Sequence, residues 1–233
     1  MTNTMLGRFV ISRNYSYGTH SKQPSDIYAG KQGELIGGPM KNHRPAVFLD
    51  RDGTIIEDRG DLSQPAQVVI FKDTIPALRR LAEHFPLFIV TNQSGVAKGT
   101  ITTEDVERVN GHVERFVAAE GAPITATYVC PHLRSSGCRC IKPNPYFLKE
   151  AQREFGIDLR RSFVIGDHPH DVELATRVDA TGIYVLSGHG IKHRADLTVR
   201  AIIADGIREA SEWIIARTSG QNSEGHETSG QAR

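Results

Sequence analysis

The chain has 233 residues, 39% of them hydrophobic and 24% charged, and a formal net charge of +1 from 28 basic and 27 acidic side chains. This is the composition of a soluble enzyme of one generous domain or two small ones, and the charge balance gives no reason to bind nucleic acid or an anionic membrane. No run approaches the roughly 20 apolar residues of a membrane helix, and the three cysteines, Cys130, Cys138 and Cys140, cluster in one short stretch, which excludes a secreted disulfide framework and brings metal ligation into view.

Residues 1–43 lack a sustained apolar period and are rich in Gly, Ser, Asn, Tyr and Lys, the pattern of a poorly ordered extension. Its best apolar run, Phe9-Val10-Ile11, falls short of the about 7–15 residues of a secretory core, so a cytoplasmic location is expected. From 44 to 217 short apolar runs alternate with amphipathic stretches, which predicts an α/β domain: a Rossmann-like parallel sheet flanked by helices. The expected strands are Ala46–Leu49, Leu87–Thr91, Thr125–Val129, Ser162–Ile165 and Gly182–Leu186. The expected helices are Thr74–His84, Thr103–Glu120, Pro145–Phe155, Asp171–Arg177 and Ala204–Arg217. Thr102 and Thr103 before Glu104 and Asp105 read as the acidic first turn of a capped helix. Residues 218–233, nearly devoid of apolar side chains, read as a disordered tail.

In an open parallel sheet, ligands sit beyond the carboxyl ends of the strands, so the residues just after each apolar run are the ones to inspect. The first run delivers Asp50-Arg51-Asp52-Gly53-Thr54, in which Gly53 permits a turn that brings two carboxylates into one site. The second ends in Thr91-Asn92-Gln93-Ser94-Gly95, a hydroxyl and amides placed for an anion's oxygens. Lys142 follows the cysteines, and the fourth run ends in Gly166-Asp167-His168-Pro169-His170-Asp171. One Thr, one Lys and several Asp at strand ends suit a phosphate and a hard cation such as Mg²⁺.

Cys130-Pro131-His132, five residues, then Cys138-Arg139-Cys140 form C-x-H-x5-C-x-C, a four-coordinate set for structural Zn²⁺ with no open position for substrate. Such a site would pin the loop leading into Lys142. A nucleic-acid zinc finger is the competing reading, disfavoured by the net charge and by the lack of a basic helix behind the cysteines.

The constellation D-x-D-G-T at Asp50, Thr91 at the second strand end, Lys142, and G-D-x(n)-D at Asp167 closely resembles the haloacid dehalogenase-like phosphatases, with all four motifs in order over about 170 residues. The resemblance implies that Asp50 is the nucleophile, forming an aspartyl phosphate. Asp52 is then the acid that protonates the leaving alcohol and the base that later activates water. Thr91 and Lys142 would stabilise the phosphoryl oxygens, and Mg²⁺ would be held by the Asp50 side chain, the Asp52 backbone carbonyl and Asp167.

A zinc loop before the motif Lys is similar to the branch holding the D-glycero-D-manno-heptose bisphosphate phosphatases and the histidinol-phosphatases. Thr91 to Gly99, with Asn92, Gln93 and Ser94, resembles the heptose enzymes, and so does the stretch Asp58-Arg59-Gly60-Asp61, where Asp58, Gly60 and Asp61 would contact substrate. The five-residue spacer before Cys138 is similar to the histidinol-phosphatase form, which remains the alternative. Ile141 departs from both groups, which usually carry Arg there, and removes one anchor for a second anionic group. The resemblance therefore implies a Mg²⁺-dependent phosphatase of small phosphorylated sugars or metabolites. A monomer is expected, capless because Ile55 to Asp73 is too short for a cap domain. A zinc-stabilised module that merely binds phosphorylated partners is the alternative of another class; Asp52, which binding alone does not need, separates the two. His168 and His170 read as solvated loop residues, and Trp213 as core.

Overall fold

Val, Ile, Phe and Leu dominate the central strands because both faces of the sheet are covered there, so Val47–Leu49 is buried and apolar throughout, whereas Ile124–Cys130 interleaves Thr125 and Thr127 with apolar residues. The computed structural model describes residues 43–223; the expected extension up to residue 42 and the tail from 224 onward lie outside the described residues. In chain order the elements are β1 (Val47–Leu49), α1 (Thr74–Ala82), β2 (Leu87–Asn92), α2 (Gly95–Lys98), α3 (Thr103–Ala119), β3 (Ile124–Cys130), α4 (Tyr146–Phe155), β4 (Phe163–Gly166), α5 (Pro169–Thr176), β5 (Thr181–Val185), α6 (Gly190–His193), β6 (Ile202–Ala204) and α7 (Ile207–Ser223). The six strands form one parallel sheet in the order β3-β2-β1-β4-β5-β6.

Strand alternation sends side chains to two separate cores. Val47 and Leu49 of β1, with Leu87, Ile89, Ile165 and Val185, meet Leu78 and Leu81 of α1, Val109, Val113 and Val117 of α3, and Ile214 of α7. Phe48, between them in sequence, points the other way with Phe88, Val90, Tyr128 and Val164, against Leu148 and Ala151 of α4 and Leu174 of α5. The Phe48 and Phe88 rings stack at 5.1 Å, and truncating a buried ring of this kind to Ala costs about 3–5 kcal/mol. Trp213 packs on the first core, as expected.

The expected strands and helices are all present, most with ends one or two residues from the sequence reading, and the largest differences fall at α5 and at the end of the chain. Ala204 closes β6 instead of opening the last helix, which starts at Ile207 and continues past Arg217 to Ser223. Helix α5 begins at Pro169, whose missing N–H costs nothing in a first turn. The Thr102 cap is as expected: its hydroxyl accepts from Asp105 N–H at 3.1 Å and its own N–H donates to the Asp105 carboxylate at 2.9 Å.

The chain order reverses between β1 and β4, which are neighbours although far apart in sequence. At such a switch point the loops leave in opposite directions and open a crevice beyond the carboxyl ends. Asp50 follows β1 and Asp167 follows β4, so both stand at its floor. No cap domain stands between β1 and α1.

Candidate active site

The crevice is a cleft of about 370 Å³ lined by Asp50, Asp52, Asp58, Gly60, Asp61, Thr91, Asn92, Gln93, Ser94, Lys142 and Asp167. Every residue read from the sequence as catalytic or substrate-binding, together with Asp167, thus faces one space. Arg134, His168, His170, Asp171 and His189 complete the lining.

At the floor, the Lys142 Nζ lies 2.7 Å from Asp50 Oδ1 and 2.7 Å from Asp171 Oδ1, with all three side chains nearly or fully buried. Burial alone would pull the Lys142 ammonium down, but Asp171 and Asp50 more than offset it, and its pKa is raised. Asp50 is pushed well above the usual carboxylate range by burial, which with Asp171 and Asp167 outweighs the pull of Lys142. Asp167 is raised to about 6 by burial and by Asp171, against the His189 N–H, which donates to its Oδ2 at 2.8 Å. Oxygens of Asp50, Asp167 and Asp171 all lie within 4.8 Å of one another. Three buried carboxylates against one ammonium are a net negative pocket of hard donors, which fits Mg²⁺.

Close approach of the backbone makes this packing possible. Gly53 has φ of 80°, and a Cβ there would stand 2.0 Å from Asp167 Oδ2. At Gly166 a Cβ would stand 2.2 Å from Asp171 Cγ. Only glycine fits at either position.

Asp52 is held from two sides. Arg51 Nε and Nη2 donate to both its oxygens at 2.8 to 3.1 Å, and Arg51 Nη1 donates to Asn110 Oδ1 at 2.6 Å. Gln93 Nε2 donates to Asp52 Oδ2 and to Thr91 Oγ1, both at 2.8 Å. Gln93 therefore braces the site's own groups, as does Asn92, whose Oδ1 accepts from Lys142 N–H at 3.2 Å. Asp58 accepts from Gly60 N–H at 2.9 Å and pairs with His189 Nδ1 at 3.1 Å; Asp61 accepts from Thr100 Oγ1 at 2.5 Å.

The cysteine loop closes on itself. The Sγ atoms of Cys130, Cys138 and Cys140 and Nδ1 of His132 form a tetrahedron with edges of 2.8 to 4.0 Å. A Zn²⁺ ion with Zn–S near 2.3 Å implies edges of about 3.8 Å, so the four atoms fit a central ion after slight expansion. Burial and Cys140 raise the Cys138 thiol; Cys130 and burial raise that of Cys140.

Several site residues escaped the sequence reading. Asp171, read from the sequence only as the last residue of the fourth run's acidic exit and given no role, stands in the first turn of α5 and reaches Lys142. His168 and His170, read as solvated, are half-buried, line the cleft and stack at 4.4 Å, because the α5 N-terminus folds them over the crevice. Burial and His170 lower His168 to about 4; burial and Arg134 lower His170. Ile141, by contrast, is buried at 8% exposure and does not line the cleft.

A Rossmann-like sheet whose switch point gathers paired aspartates, a threonine and a buried lysine defines a phosphoryl-transfer hydrolase. The family model described as HAD-hydrolase-like matches residues 139–210. A heptose-1,7-bisphosphate 7-phosphatase of Photorhabdus laumondii is 34% identical over 68% of this chain and 89% of its own length. The Escherichia coli K12 protein of the same name is 32% identical over 76% and 91%. Among solved structures, the D,D-heptose 1,7-bisphosphate phosphatase of B. bronchiseptica, complexed with magnesium and phosphate, superposes with a TM-score of 0.70 at 25% identity, covering 74% of this chain and 99% of that one. The chain belongs to the haloacid dehalogenase-like phosphatases, which are phosphoric monoester hydrolases.

Proposed function

We propose that the chain is a Mg²⁺-dependent phosphatase acting on D-glycero-D-manno-heptose 1,7-bisphosphate, releasing the 7-phosphate through an aspartyl phosphate on Asp50. The observation that carries the reading is Asp50 against Lys142 at 2.7 Å with Asp52 in the same cleft, in a chain whose relatives bear that activity in their names. Asp50 attacks phosphorus as the bond to the leaving alcohol breaks, and Asp52 gives that oxygen its proton. Asp52 then takes a proton from water, the water oxygen bonds to phosphorus, and the bond to Asp50 breaks. Lys142 and the Thr91 hydroxyl hold the phosphoryl oxygens, while Arg51 and Gln93 keep the Asp52 carboxylate turned to the cleft. Mg²⁺, held by Asp50, Asp167 and the Asp52 carbonyl, supplies the positive charge that lets an anionic nucleophile approach an anionic phosphate. Zn²⁺ at Cys130, His132, Cys138 and Cys140 serves the fold of the loop.

Histidinol phosphate is the second reading, favoured by the five-residue spacer before Cys138. Phosphate release with Mg²⁺ decides between them: kcat/KM for the heptose bisphosphate should exceed that for histidinol phosphate by about tenfold or more, a difference of about 1.4 kcal/mol in transition-state binding. The reverse order would overturn the sugar assignment.

A further inference from the structure

The cleft is lined by two permanent cations, and they are differently placed. Lys142 is buried and committed to two carboxylates. Arg134 is exposed at the mouth and, among the described residues, makes no ion pair. Two other carboxylates of the lining are engaged elsewhere, Asp58 by His189 and Gly60, Asp61 by Thr100.

Its guanidinium is nonetheless fixed in direction. Arg134 Nη1 lies 2.8 Å from His170 Nε2, and since a guanidinium only donates, His170 accepts there. The other ring nitrogen of His170 lies 2.5 Å from His168 Nδ1, so the stacked imidazoles buttress the contact. The loop carrying Arg134 is closed by the cysteine cluster on either side, with His132 two residues before and Cys138 four residues after. A guanidinium held this way presents its remaining N–H groups at little further cost in side-chain freedom, and its planar fork matches a phosphate's oxygens.

We infer that Arg134 binds a second anionic group of the substrate, at the mouth of the cleft opposite the phosphate being cleaved, and so sets a preference for bisphosphorylated over monophosphorylated sugars. The inference rests on the phosphatase reading proposed above and names the residue that selects within it. Ile141 plays no part in that selection, being buried away from the cleft.

The test compares D-glycero-D-manno-heptose 1,7-bisphosphate with the 7-phosphate as substrates for the zinc-loaded full chain, its Arg134→Ala and its Arg134→Lys variants. The ratio of kcat/KM, bisphosphate over monophosphate, should fall by about 10- to 100-fold in Arg134→Ala, chiefly through KM, and by less in Arg134→Lys, which keeps the charge but loses the fork. A variant that merely loosens the loop would lose zinc by elemental analysis and slow both substrates alike, leaving the ratio in place, and that result overturns the inference. So does a parent enzyme that hydrolyses both with no preference for the bisphosphate. If the parent hydrolyses neither, the phosphatase reading itself falls and takes the inference with it.

Discussion

Arg51, 1% exposed, turns back on its immediate neighbour Asp52 and grips both carboxylate oxygens, from 2.8 to 3.1 Å. A guanidinium this deep must be satisfied, and Asn110 takes the third donor. The expected outcome of Arg51→Met is twofold: a fall in thermal midpoint because Asn110 loses the Arg51 donor and Asp52 both of its guanidinium donors, and slower turnover because Gln93 alone then holds Asp52. Each lost charged hydrogen bond is worth about 1.5–3 kcal/mol, so kcat should drop at least tenfold. Full activity in a stable variant would show that Asp52 needs no such grip.

Asp50→Asn should abolish phosphate release with Mg²⁺, since an amide cannot form the acyl phosphate. It should not unfold the protein, because it removes one of three mutually repelling carboxylates and leaves Lys142 its Asp171 partner. Thermal melts and a phosphate assay on one preparation check both halves; measurable turnover would remove Asp50 from the nucleophile role. Asp52→Asn should slow the first step least for substrates with good leaving groups such as nitrophenol.

The raised Asp167 makes a pH prediction with a definite sign. Its folded value of about 6 lies above the ordinary 3.8, so the metal-free fold favours the protonated form, and this carboxyl's contribution is present below about pH 4 and lost as pH rises through about 6. Mg²⁺ needs the ionised form. The gain in melting temperature from added Mg²⁺ should therefore be small near pH 5 and larger above about pH 7. Equal gains at both would mean that Asp167 does not ligate the ion.

The purified chain should carry about one zinc, measurable by elemental analysis. Cys138→Ser opens one corner of the tetrahedron, and the loop ahead of Lys142 loosens. Stability should fall first and activity with it, indirectly. A zinc-free protein as stable as the parent would leave the cluster as ordinary thiols.

Five strands are legible from sequence because burial in the sheet leaves short apolar runs, as in Val47–Leu49 and in the Leu87, Phe88, Ile89 and Val90 that open Leu87–Asn92. The sixth is not: three residues at a sheet edge, with Ile203 37% exposed, read as the run-up to a helix. The same divide holds for the site. Asp50, Asp52, Thr91 and Asp167 stand at strand ends, where the chain's local pattern announces them. Asp171 belongs to a helix, Arg51 is hidden between two acids, and Arg134 reaches the cleft only by the path of a loop, which no local period encodes.

The glycines pressed against the acidic floor divide the site into parts that tolerate change and parts that do not. Any side chain at Gly53 or Gly166 collides with Asp167 or Asp171, so the floor admits no variation in shape. The turn Arg134–Ser136 is exposed and bordered by the cysteine and histidine cluster, so it can change sequence while the strands stay as they are. A library built to redirect this enzyme to other phosphate esters should therefore randomise positions 133–137 and leave the strand ends alone.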